Sequence, residues 1–251
     1  MCLIAFAWRP DHPLPLVLAA NRDEFYERAS LPLGEWADAP GLYAGRDLQA
    51  GGTWLGVSRD GRFAALTNIR DPRQAKGPRS RGELPVEFLR GALDAEAFLA
   101  GLRPRLGDYS GFNLLLGDRR RLFFFNSEEG CARRLAPGLY GLSNAQLDTP
   151  WPKVLRATAH LAGSLADPHP ATLLELLRDR SQPPLELLPD TGIGVDWELL
   201  LSSIFIHGPG YGTRASSALL LHADGRLHLL ERSFGSDGQP AGEVEILLPA
   251  G

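Results

Sequence analysis

Short apolar runs recur along this chain, each closed by a polar or glycine-containing break. Residues 2–8 are wholly apolar and predict a buried first strand. Residues 16–20 predict its partner, returned through the proline-rich turn 9–15, before the sequence turns polar at Asn21-Arg22-Asp23-Glu24. Residues 53–58 and 63–68 predict a hairpin about Arg59-Asp60-Gly61, residues 112–116 and 122–126 a second about Gly117-Asp118, and residues 216–222 and 226–232 a third about Asp224-Gly225. Residues 139–143 form a further short extended run. Leucine and alanine recurring at three- and four-residue steps mark helices over 82–90, 94–102, 152–165 and 171–178, with Thr149 or Asp148 placed to cap the third ahead of Pro150-Trp151-Pro152. Residues 179–195, rich in Pro and Gly, predict a loop, and Gly208-Pro209-Gly210-Tyr211-Gly212 a mobile one. Strands, helices, strands, helices and strands in that order suit an α+β protein with helices outside mostly antiparallel sheets, as one domain over residues 1–251.

Composition narrows the function classes. With 251 residues, 44% of them hydrophobic, the chain can bury a sizeable core, and its formal charge of -4 gives no reason to approach a polyanion, so nucleic acid is excluded as a main partner. No apolar stretch nears the roughly 20 residues needed to cross a bilayer, and residues 2–8 lack the basic leader and length of a secretory signal. The expectation is a cytoplasmic protein without integral membrane association. Two cysteines are too few for a disulfide scaffold. The chain has no phosphate-binding G-x-x-x-x-G-K-[ST], no G-x-S-x-G elbow, no H-E-x-x-H and no C-x-x-C; His222 and His228, though placed to face one another on paired strands, have no carboxylate nearby in sequence, and no metal site is expected.

Cys2 carries the strongest chemical signal. Removal of Met1 ahead of this small side chain leaves one residue holding both a thiol and a free α-amine, whose ordinary pKa of about 7.7 to 8.0 suits it to take the thiol proton and later return it to a leaving amine. Such a site needs a carboxylate to orient the amine, donors for an oxyanion and a cation to favour thiolate. Asp23, ending the second strand beside the first, is the candidate carboxylate. Either Asn68, ending the strand 63–68, or Asn144, ending the run 139–143, can donate to the oxyanion, and Arg214, entering the last hairpin, is the candidate cation. Cys131, after Glu128-Glu129-Gly130, is assigned no role.

Met1-Cys2-Leu3-Ile4, Asn21-Arg22-Asp23-Glu24, Gly45-Arg46-Asp47 with Gly51-Gly52-Thr53-Trp54-Leu55-Gly56, Thr67-Asn68, Ser80-Arg81-Gly82-Glu83-Leu84, Gly141-Leu142-Ser143-Asn144, Pro150-Trp151-Pro152-Lys153 and Tyr211-Gly212-Thr213-Arg214 together resemble the NRDE family, also called the transport and Golgi organisation protein 2 family. The resemblance spans nearly the whole chain. It implies a four-layer α-β-β-α sandwich like that of N-terminal-nucleophile hydrolases, whose cysteine branch contains penicillin V acylase and bile salt hydrolase. By resemblance Cys2 matches the nucleophile, Asp23 the amine-orienting carboxylate, Asn68 and Asn144 the asparagines and Arg214 the late arginine. The arginine that precedes Asn-x-Asp in those hydrolases is replaced here by Ala20, and Arg22 falls at their variable position, where a regular strand points it away from Asp23.

The resemblance also implies a second function. NRDE relatives are associated with haem trafficking and with lipid and acyl-coenzyme A metabolism, so the same fold can serve as a non-catalytic carrier. Its ligand-binding groups would come from Asn21, Arg22, Glu24, Trp54, Phe63, Arg46, Arg70 and Arg214. The expected partner is a small acyl or amide substrate, or haem; the hydrolase reading needs no cofactor. There is no C-x-x-C-H, and any axial ligand to haem iron would be a histidine, Cys2, Cys131 or a tyrosine.

Overall fold

In strand β1 (Cys2–Trp8) the side chains of Ile4, Phe6 and Trp8 enter one apolar cluster and those of Leu3, Ala5 and Ala7 another, so the run is apolar throughout because both faces of the strand are covered. The computed structural model describes residues 2–74 and 76–250. After β1 come β2 (Leu16–Phe25), β3 (Ser30–Trp36), β4 (Ala39–Asp47), β5 (Leu55–Ser58) and β6 (Phe63–Asn68), then helices α1 (Glu83–Arg90) and α2 (Ala95–Leu102). Strands β7 (Phe112–Gly117), β8 (Leu122–Asn126), β9 (Cys131–Arg134) and β10 (Gly138–Leu142) lead to helices α3 (Pro152–Ser164), α4 (Pro170–Leu176) and α5 (Val195–Leu200), and β11 (Tyr211–Leu221), β12 (Leu227–Phe234) and β13 (Pro240–Leu248) follow.

The strands form two sheets, in the orders β10-β1-β2-β11-β12-β13 and β3-β4-β5-β6-β7-β8-β9, and each neighbouring pair is antiparallel. Their facing sides share a core that includes Phe6, Trp8, Leu18, Val57, Phe63, Leu115, Phe124 and Leu229. Helices α1 and α2 cover the far face of the second sheet through Leu84, Phe88, Leu99 and Leu102, and α3 and α4 cover the far face of the first through Val154, Ala157, Leu161 and Leu173. Each fully buried Leu or Phe contributes about 1.5–3 kcal/mol. The layers therefore run α-β-β-α, as the family resemblance implies, with helices outside antiparallel sheets, as the pattern of apolar runs predicts. No helix among the described residues is long and apolar enough to cross a membrane.

Several sequence expectations need correction. The second strand does not stop at residue 20: β2 runs on through Asn21, Arg22 and Asp23, all buried, because β1 on one side and β11 on the other satisfy its backbone. Strands β3, β4, β9 and β13 escaped the apolar pattern. The first two are interrupted by Pro32, Gly34, Pro40 and Gly41, β9 is exposed at every position, and β13 is a largely exposed edge. Within the expected loop 179–195 lies a 3-10 turn, Leu185–Leu187, and α5 starts at its end. Neither Thr149 nor Asp148 caps α3: its N-cap is Trp151, without a side-chain cap, while Asp148 (φ 60°) accepts a hydrogen bond from the Gly141 N–H at 2.8 Å. Gly208 to Gly212 form a tight turn, closed by Gly208 N–H donating to the Tyr211 carbonyl at 3.0 Å, that feeds β11. His228 lies opposite Leu220 rather than His222, and contacts Glu245 at 2.6 Å. No group of residues suited to hold a metal ion occurs among those described.

Candidate functional site

Strand register builds the site. Cys2 lies directly opposite Arg22 in the β1–β2 pair, so their side chains share the face that looks between the sheets. Asn21 and Asp23 alternate to the other face, toward the helices. A cleft of about 500 Å3 opens beyond the ends of these strands, lined by Cys2, Arg22, Asp23 and Glu24, by Thr53 and Trp54 ahead of β5, by Asn68 at the end of β6, and by Arg81, Arg214 and Glu231. Leu31, Pro32, Leu66, Phe234 and Val244 add apolar wall. Gly52 makes the floor possible. A Cβ there would lie 2.3 Å from the carbonyl carbon of Gly82, too close for any other residue type.

Cys2 is 6% exposed, and burial pushes its thiol up to about 11; Asp23 and Glu24 push the same way and Arg22 opposes them. The thiol is therefore protonated at neutral pH, and nucleophilic use of it requires a proton acceptor. The proposed removal of Met1, which would supply the amine, concerns a residue outside those described. Ser143 Oγ donates to the Cys2 carbonyl at 3.1 Å and fixes the start of β1. Asp23 accepts from Thr213 Oγ1 at 2.8 Å, and Tyr211 Oη donates to its carbonyl at 3.0 Å. Burial raises the Asp23 carboxyl, while Lys153 and the Thr213 hydrogen bond hold it back.

The other candidates separate into three groups. Arg22, Glu24, Trp54 and Asn68 line the cleft with Cys2. Asn144 is fully buried, and its Nδ2 already donates to the Asn68 carbonyl at 2.8 Å, so this amide holds the Asn68 backbone instead of pointing at open space. Asn21 and Arg70 do not line the cleft. Asn21 Nδ2 donates to the carbonyls of Leu177 and Ile204 at 3.0 and 2.8 Å, its Oδ1 accepts from Ser216 Oγ at 2.5 Å, and Arg70 forms a buried ion pair with Glu198 at 2.6 Å while lying over the Trp151 ring. Their side chains are committed to the fold on the helix side. Arg214 reaches the cleft, but its Nη1 donates to the carbonyls of Phe25, Tyr26 and Arg28 at 3.0, 3.0 and 3.1 Å. The cation facing the thiol is Arg22, whose ion pair to Asp47 is long at 4.0 Å.

Two residues escaped the search for chemistry. Arg81 lines the cleft, burial lowers its pKa while the Cys2 thiolate would raise it, and it has no carboxylate partner among the described residues. Lys153 is 2% exposed in the first turn of α3; burial draws its ammonium down to about 8, Arg70 pushes the same way, and Asp23, Cys2 and Glu198 pull back. In the sequence both stand only within motifs that carry the family resemblance, Ser80-Arg81-Gly82-Glu83-Leu84 and Pro150-Trp151-Pro152-Lys153. A usable signal existed for Lys153, because it shares a four-residue spacing with Ala157 and Leu161 on the buried stripe of α3.

Comparison with known proteins agrees with this arrangement of motifs. The family model described as Transport and Golgi organisation 2 matches residues 1–236. The chain is 36% identical to the Transport and Golgi organization protein 2 homolog of Bos taurus, over 94% of this chain and 95% of that protein, and 36% identical to the Homo sapiens homolog over 93% of each. Among solved structures it is similar to the Caenorhabditis elegans N-acylethanolamine-hydrolyzing acid amidase ortholog (TM-score 0.49, 10% identity, 87% of this chain and 92% of that one). It is similar also to a C2A mutant of conjugated bile acid hydrolase from Clostridium perfringens (TM-score 0.47, 9% identity, 98% and 92%). The matched family model and the whole-length relatives establish that this chain belongs to the transport and Golgi organisation 2 family.

Proposed function

We propose that the protein is a cysteine-type amidohydrolase acting on a linear amide or acyl substrate, with Cys2 as nucleophile once Met1 has been removed. The observation that carries this reading is the placement of Cys2 at the wall of the cleft, with Arg22 opposite it on the thiol's face and Asp23 on the other. In the proposed cycle the α-amine takes the thiol proton, the sulfur attacks the substrate carbonyl, and the Asn68 side chain donates to the oxyanion. Collapse of the adduct breaks the C–N bond as the ammonium returns its proton to the leaving amine. Water, deprotonated by the same amine, then hydrolyses the thioester and restores the thiol. Asp23 orients the amine, Arg22 stabilises the thiolate, and Asn144 and Arg214 hold the backbone on which these groups sit.

The test is acyl-enzyme trapping with an electrophilic amide probe, read by intact mass in a Cys131→Ser background because Cys131 is an exposed free thiol. The expected result is one adduct on a chain lacking Met1. Equal labelling of the Cys2→Ala variant would refute the reading. A second reading, a haem or lipid carrier, draws support from the apolar wall of Trp54, Leu66 and Phe234 beneath an arginine rim. No histidine lines the cleft among the described residues, so haem iron there would take Cys2 as its ligand. A shifted, saturable Soret band that is lost in Cys2→Ala would support the carrier.

A further inference from the structure

The two ends of the cleft differ in chemistry. Across the interior β1 faces β6, while β12 and β13 face β3, so the cleft runs from the β6 side, past Cys2, toward β3. Strand register puts Cys2, Arg22, Ala215, Ser233 and Gly242 in one row across the first sheet, and all five line the cleft. Beyond Arg22 the side chains of this row are small and leave a trough, whose far walls, Leu31, Pro32, Phe234 and Val244, are apolar.

The opposite end is cationic. Arg81, on the segment ahead of α1, lines the cleft there, and its Nη1 donates to the Gly111 carbonyl at 2.9 Å. The same oxygen accepts the Ile69 N–H at 3.0 Å, so the guanidinium is anchored beside the residue that follows Asn68. Its Nε and Nη2 make no hydrogen bond or ion pair with any described residue. The carboxylates of the lining are engaged elsewhere. Asp47 pairs with Arg28 at 2.7 Å and Glu243 with Arg232 at 2.8 Å; Glu231 accepts from the Leu33 N–H and the Ser217 hydroxyl, Glu24 from the Phe25 N–H and Asp23 from the Thr213 hydroxyl. The other cations are engaged too: Arg46 pairs with Asp38 at 2.7 Å, Arg214 gives Nη1 to three carbonyls, and Arg22 faces the thiol. An arginine edge that keeps two parallel donors matches a planar carboxylate.

Resting on the amidohydrolase reading, we infer that Arg81 is a specificity-determining residue that pairs its Nε–Nη2 edge with a substrate carboxylate, and that the substrate is an N-acyl amino acid whose acyl chain lies along the trough. The amide then sits between the two ends, where Cys2 and Asn68 reach its carbonyl. In such a substrate the carboxylate lies on the leaving amine, close to the scissile bond, which suits a cation anchored next to Asn68. A carboxylate at the far end of the acyl chain would fall instead in the apolar arm. Water added across the C–N bond releases a carboxylic acid and the amino acid.

The experiment is isothermal titration calorimetry of the full chain carrying Cys2→Ala, which cannot turn the probes over. The probes are N-octanoylglycine and N-octanoylglycinamide, its neutral counterpart of the same size. The glycine conjugate should bind more tightly by about tenfold or more, as a charge-assisted pair predicts. Arg81→Gln and Arg81→Met should abolish the difference, and Arg81→Lys, which keeps the charge without the two-donor edge, should retain only part of it. Equal binding of the two probes, binding of neither, or an undiminished preference in a neutral variant whose circular dichroism melt shows it folded overturns the inference. Tighter binding of octanoylaminoethyl phosphate than of N-octanoylglycine overturns the carboxylate assignment. Binding needs no turnover. A chain that prefers the carboxylate probe through Arg81 but never forms an acyl-enzyme therefore refutes the hydrolase reading and leaves the role of Arg81 standing, and one that hydrolyses both probes with equal kcat/KM does the reverse.

Discussion

Replacing Lys153 with methionine should stabilise the protein at neutral pH and remove part of its stability gain on the alkaline side. The side chain is 2% exposed, and its ammonium is held near pKa 8 against an ordinary 10.5. That difference corresponds to a penalty of about 3 kcal/mol for carrying the charge into the fold. Below pH 8 both folded and unfolded chains are protonated at Lys153 and the penalty is complete. Between pH 8 and 10.5 the unfolded chain holds a proton that the folded chain has released, so stability rises with pH, by up to about 1.4 kcal/mol per pH unit. Cys2 works in the opposite sense: with its thiol at about 11 against an ordinary 9.0, the folded chain holds the extra proton between those values and stability falls there. The window from pH 8 to 9 therefore isolates the lysine, and subtracting the variant's curve from the wild type's removes the cysteine. Methionine keeps the length of the aliphatic stem. Loss of the cation that favours ionised Asp23 offsets part of the gain, so about 1–2 kcal/mol of stabilisation is expected at pH 7. Urea melts at pH 7, 8 and 9 measure it. A variant less stable than wild type by the same amount at all three values would show that Lys153 is a net stabilising partner and refute the reasoning.

Two further changes probe how the cleft is held. Thr213→Val removes the hydroxyl that donates to Asp23 at 2.8 Å and accepts from the Ile206 N–H at 2.9 Å, leaving two buried groups short of a partner; a loss of about 2 kcal/mol in a denaturant melt is expected, restored by Thr213→Ser. Gly52→Ala drives a Cβ onto the Gly82 backbone at 2.3 Å, where no side chain can yield, and should cost about 1–3 kcal/mol, whereas Gly34→Ala, with nothing within 4 Å, should change stability by less than about 0.5 kcal/mol.

Much of this architecture is legible in the sequence because so many strands are buried on both faces. Residues 2–8 are apolar over their whole length, 63–68 up to Thr67 and 122–126 up to Asn126, and their predicted limits coincide with β1, β6 and β8. The reading fails where burial is one-sided or polar. The β3–β4 hairpin and β13 lie at sheet edges, where proline, glycine and charge are tolerated, and the polar end of β2 looks like a loop until its partners on both sides are known. The site follows the same division. Cys2, Asp23 and Asn68 stand at strand ends and could be read there, but what their side chains meet depends on partners far away in sequence. Asn21 takes carbonyls at Leu177 and Ile204, and Asn144 takes the Asn68 carbonyl, contacts that no local pattern encodes.

The reassignment of the thiol's cation from Arg214 to Arg22 follows from one irregularity in the β2–β11 ladder. Thr213 pairs with Asp23 and Ala215 with Arg22, so Arg214 is an extra residue that bulges out of register. Freed from the pleat, it closes the turn after β2 by donating to three carbonyls there. In that turn Arg28 pairs with Asp47 at 2.7 Å, and Asp47 in turn lies 4.0 Å from Arg22. The late arginine thus shapes the surroundings of Arg22 without facing the sulfur. Arg22 occupies the position that strand alternation turns away from Asp23, and Cys2 lies opposite Arg22, so the same alternation that separates arginine from carboxylate aligns arginine with thiol. In the proposed chemistry the two neighbours then address different atoms of one residue: Arg22 the sulfur, on the cleft face, and Asp23 the backbone nitrogen, from the helix face. A regular strand of Asn-Arg-Asp-Glu is sufficient for this, and no local distortion of β2 is required.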